Sequence, residues 1–126
     1  MKFSTLMVAN AVLAFGYAAG MLLMPATLLA NYGMSVGSSE KMVAQFFGVA
    51  LVFLGVVTWL ARNITDPATQ RALVLALLTT DTIGVVVSVM GTLSGAMNAF
   101  GWSSVAIYVF LGLGAAYFQF GKPRAT

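Results

Sequence analysis

The chain has 126 residues, 60% of them hydrophobic and only 7% charged, with six Lys or Arg, three Asp or Glu, and no Cys or His. A water-soluble domain carries about 25% charged residues, and a mean hydropathy of +0.96 leaves too much apolar surface for so few charges to cover; lipid is the expected solvent. Without Cys or His there is no disulfide, no thiolate, and neither of the side chains most used as metal ligand and general base. No catalytic residue, metal site or cofactor is therefore expected. The net charge of +3 does not point to nucleic acid, because the bases are scattered singly and form no patch.

The first apolar run covers about residues 4–24, enough at 1.5 Å per residue to cross a hydrocarbon core of about 30 Å. It is longer than the about 7–15 residues of a signal-peptide core and reads as an uncleaved anchor. Pro25 should kink or break it, leaving residues 26–30 as a last turn before Gly33. Ser38 and Ser39 read as turn and helix-capping residues, with Glu40 in the first turn of the next helix.

The second span covers about residues 42–61, ending at Arg62-Asn63. Asp66 as N-cap with Pro67 at the first helical position predicts that the third helix starts ahead of its apolar part, which covers about residues 71–91. The Asn63-Ile64-Thr65 sequon is set aside because the expected topology places it in the cytoplasm. A loop without charge leads to the fourth span, about residues 101–120, and Lys122 and Arg124 follow it.

Four spans put the start of the chain, the second loop and the far end on one side. Lys2, Arg62, Arg71, Lys122 and Arg124 fall there, against Lys41 alone on the other. The positive-inside rule then predicts both termini in the cytoplasm. Trp59 should mark the inner boundary, and Trp102 and Tyr32 the outer one. The fold expected is all-α: a single transmembrane domain, an integral membrane four-helix bundle.

Helices in lipid pack closely where small residues face one another. Gly16 and Gly20 in the first span, Gly48 and Gly55 in the second, Gly84 and Gly91 in the third, and Gly112 in the fourth are the expected packing positions. Asp81 lies about ten residues from each end of its run, hence near mid-bilayer, with no Lys or Arg at its depth. An ionised Asp there costs about 2.5–3.5 kcal/mol on insertion scales, so it should face the protein interior, neutral and hydrogen-bonded. Tyr17, Tyr108 and Thr80 are its expected partners; with Ser88 they complete a candidate intramembrane polar site.

The stretches FGYAAGMLLMPATLLANYGM, AQFFGVALVFLGVVTWLARN and DPATQRAL share a layout: a Pro ending the first span, a YG turn, a Gly-punctuated second span closing on W-x-x-R, and a D-P start to the third. This layout resembles small bacterial inner-membrane proteins, loosely those of the DoxX-like four-helix type. The resemblance implies a bacterial inner-membrane location and a place beside membrane redox partners, as a subunit or near a quinone; it carries over no catalytic residue. The function expected is non-catalytic: an accessory or scaffolding subunit of a larger membrane complex, or a binder of an apolar molecule such as a lipid, quinone or pigment. Its partners would be membrane lipids, with other membrane subunits or further copies of the chain. The alternative is a small ion- or proton-coupled transporter using Asp81.

Overall fold

The computed structural model describes residues 2–121, and every regular element in that range is helical. Helix α1 spans Phe3–Leu23, α2 Pro25–Asn31, α3 Ser38–Ala61, α4 Pro67–Leu93 and α5 Gly101–Ala116, which runs on into a π-helical turn over Tyr117–Gly121. Four helices are long and apolar enough to cross a membrane: α1, α3, α4, and α5 with its π turn. Lys122 and Arg124 lie outside the described residues.

Local chemistry sets most of the boundaries. A residue before proline is pushed out of the helical region, and Met24, at φ −139° and ψ 54°, separates α1 from α2. Proline cannot donate a backbone hydrogen bond, and near this break Gln45 Nε2 of α3 donates to Leu22 O at 3.5 Å. Helix α2 ends in a Schellman motif: Gly33 N–H donates to Ala30 O and Met34 N–H to Leu29 O, with Gly33 at φ +78°. A Cβ at Gly33 would also crowd Asn98, so glycine is required there twice over.

Helix α3 departs from expectation at its start. Gly37 is its N-cap and no side chain caps it; Ser38 and Ser39 are already helical. Helix α4 starts as expected, with Asp66 accepting from Thr69 N–H at 3.0 Å and Pro67 in the first turn. The hydroxyl and amide of Thr69 hold the Asp66 carboxyl below its usual range.

Two antiparallel pairs make up the bundle, α1 with α3 and α4 with α5. Helices α1 and α5 join the pairs, whereas α3 and α4 scarcely touch. Around the bundle the order is therefore α3, α1, α5, α4, with a gap between the first and last. At one end the gap closes: Phe3, Leu6, Met7, Ala61, Val74, Leu77, Ala115 and Phe118 form a buried cluster drawn from all four long helices and the π turn.

Glycines of α3 receive larger side chains of α1. Ala11, Ala14, Ala18 and Met21 form the buried stripe of α1. On α3, Gly48 lies against Met21 and Leu22, and Gly55 against the Phe15 ring. Gly16 does not take part: it is exposed, and a Cβ there would meet nothing within 4 Å. Positions 16 and 18 are separated by about 200° around a helix, so the alanine stripe turns Gly16 outward. Gly20 packs on Leu28 of α2 instead of on another span. Among the remaining expected packing glycines, Gly84 lies under the Tyr108 ring, Gly91 meets Met97, and Gly112 faces Asp81.

Candidate functional site

Between the two helix pairs lies a cavity of about 390 Å³. Its α3 wall is apolar, built from Phe47, Ala50, Leu51 and Leu54. The α4 and α5 walls bring polar groups to it: Thr80, Asp81, Ser88, Ser104 and Tyr108, with Asn10 and Tyr17 from α1 and Tyr32 from the end of α2. Phe47 and Ala50 on α3, and Thr80 and Val87 on α4, are exposed as well as lining, so they form the rim of a mouth in the α3/α4 gap.

Asp81 is 4% exposed. Its Oδ2 is, among the described residues, the one buried side-chain oxygen or nitrogen without a hydrogen-bond partner. Buried polar groups are almost always paired, so this oxygen on the cavity wall is an exception. The backbone geometry around it is tight. A Cβ on Gly112 would stand 3.4 Å from the Asp81 Cβ, and one on Gly84, a turn along α4, would stand 2.5 Å from Tyr108 Cδ1 and Cε1. The absence of a side chain at Gly84 is what lets α5 bring its phenol ring close to the helix that carries the acid.

The partners expected for Asp81 are otherwise engaged or left apart. Thr80 donates to Ala76 O at 3.0 Å in its own helix. The Tyr17 and Tyr32 hydroxyls lie 2.9 Å apart, and Tyr32 Oη lies 2.7 Å from Ser104 Oγ. Asn10 donates to Leu6 O at 2.9 Å. The carboxyl is thus not the interhelical hydrogen bond that its mid-span position suggested.

Tyr17, Thr80, Asp81, Ser88 and Tyr108 all line this one cavity. Tyr32, expected near the outer membrane boundary, is 4% exposed, turned into the bundle. The break at Met24 and the seven-residue α2 fold it back inward, where Asn98 N–H fixes its carbonyl at 2.8 Å. The pairing of Pro25 with the YG turn was the signal for this: so short a helix between two reversals returns its last residues to the bundle. Comparisons with protein-family models, with curated proteins and with solved structures return no match.

Proposed function

We propose that the chain is a non-catalytic membrane protein that binds a lipophilic small molecule, admitted from the bilayer through the gap between α3 and α4. The observation that carries this reading is the unpaired Asp81 oxygen on the wall of a largely apolar cavity. At about 390 Å³ the cavity falls within the about 300–1,000 Å³ range of small-molecule sites, which combine apolar walls with a few placed polar groups. It exceeds the about 150 Å³ that holds a benzene, leaving room for a polar head and part of a chain.

Lipids, quinones and pigments all have such a plan, with an apolar body to lie along Leu51 and Leu54 and a polar end to reach Asp81. A subunit role would rest on the outer helix faces, which lipid alone would equally explain.

The chain is proposed to sit in a bacterial inner membrane with both termini in the cytoplasm, on the strength of Lys2, Arg62 and Arg71 set against Lys41. A single cysteine at Asn63 should then resist a membrane-impermeant thiol reagent in intact cells and react once the cytoplasmic face is opened. Labelling in intact cells would reverse the orientation.

The binding reading is tested by purifying the protein in lipid nanodiscs and measuring what it retains by native mass spectrometry. Wild type should carry a small lipophile, and Leu54→Trp, which pushes an indole from the α3 wall into the cavity, should lose it while keeping its helical content. A wild type that comes empty and takes up no lipophilic probe would sink the proposal, as would retention by Leu54→Trp.

A further inference from the structure

The formal charges of the cavity narrow the ligand further, and the argument rests on the binding reading above. Among the described residues no Lys, Arg or Glu lines the cavity; Asp81 is its one acid and no base accompanies it. The donors nearest in kind are committed elsewhere. Thr80 gives its one O–H to Ala76 O and offers the cavity only lone pairs, while Asn10 gives one of its two N–H groups to Leu6 O. Tyr17, Tyr32 and Ser104 hold three hydroxyl protons between them for two O···O contacts, leaving one to spare. The hydroxyls of Ser88 and Tyr108 can donate or accept and so do not discriminate between ligands.

An amide at position 81 would offer neutral hydrogen bonding in almost the same volume. What a carboxyl adds is the capacity for charge, and at mid-span that capacity is costly unless a cation answers it. The rings of Phe47, Tyr17, Tyr32 and Tyr108 around the same space offer the negative faces that attract an organic cation, most strongly where water is excluded.

We infer that the ligand is a lipophilic ammonium, its charged nitrogen paired with Asp81 and its hydrocarbon chain lying against the α3 wall. The proton balance follows. Where the empty site holds a neutral carboxyl, entry of a permanent cation expels one proton, so binding tightens as pH rises until the carboxyl is ionised. The other titratable groups lining the cavity are the phenols of Tyr17 on α1, Tyr32 at the end of α2 and Tyr108 on α5; α3 contributes none. Free phenols titrate near pH 10, so a slope below about pH 8 belongs to Asp81.

The test compares two probes of equal chain length, dodecyltrimethylammonium and dodecanol, by calorimetry on the whole protein in nanodiscs. Each titration is referenced to the Leu54→Trp variant to remove partition into lipid. The cation should bind at least about tenfold tighter than the alcohol, the margin its pairing with Asp81 has to supply. Asp81→Asn should abolish the advantage of the cation over the alcohol. Should that variant fail to fold, proton release and the rise of affinity with pH decide the matter on wild type. Equal binding of both probes to wild type, with both lost in Leu54→Trp, would overturn the ammonium inference and leave the binding reading standing. Binding of neither probe above the Leu54→Trp reference would overturn both.

Discussion

Gly84 and Gly112 stand on facing helices beside the same carboxyl, yet the space around them differs. A methyl at Gly84 would come within 2.5 Å of two Tyr108 ring atoms, and the ring cannot yield without entering the cavity or leaving α4. At Gly112 the nearest atom is the Asp81 Cβ at 3.4 Å, an ordinary contact. Overpacking a tight contact costs about 1–3 kcal/mol, whereas replacing glycine by alanine in an unstrained helix gains up to about 1 kcal/mol. Gly84→Ala should therefore lower the unfolding midpoint in detergent, and Gly112→Ala should leave it unchanged or raise it. Equal effects of the two substitutions would mean that Tyr108 does not lie against Gly84.

Among the elements, the long helices were legible because length and apolar content alone specify them. Asp66-Pro67 marked the start of α4, and Pro25 the break after α1, through chemistry confined to neighbouring residues. Faces were harder to read. Gly16 and Gly20 look like a packing motif, but the buried stripe of α1 runs along Ala11, Ala14 and Ala18, and alanines are too common in apolar helices to stand out. Depth along a helix placed Asp81, Tyr17 and Tyr108 at one level. It could not say that Tyr17 would turn to Tyr32, because that contact depends on α2 doubling back and on Asn98 holding it from the far loop. The missing half of the candidate site, Tyr32 and Ser104, is set by tertiary reversal, which hydropathy does not encode.

At the scale of the whole molecule, the decisive feature is that three of the four neighbour contacts around the bundle are made and the fourth, α3 with α4, is nearly absent. A cavity closed at one end by the Met7–Val74 cluster and latched at the other by Asn98 through Asn31 and Tyr32 opens sideways. In the proposed membrane setting, sideways is toward acyl chains. Ala50 lies on the rim and Leu54, one turn along α3, lies on the wall. This separates path from site. A tryptophan at Leu54 occupies the ligand's volume and should raise the dissociation constant. A tryptophan at Ala50, exposed on the rim, obstructs the mouth more than the interior, so association and dissociation should slow together and the dissociation constant should change less than in Leu54→Trp. Stopped-flow exchange of a fluorescent lipophile between the protein and empty nanodiscs measures both rates. Unchanged rates in Ala50→Trp, combined with faster exchange when Asn98→Ala frees the α2 end, would place the entrance at the latched end and refute entry between α3 and α4.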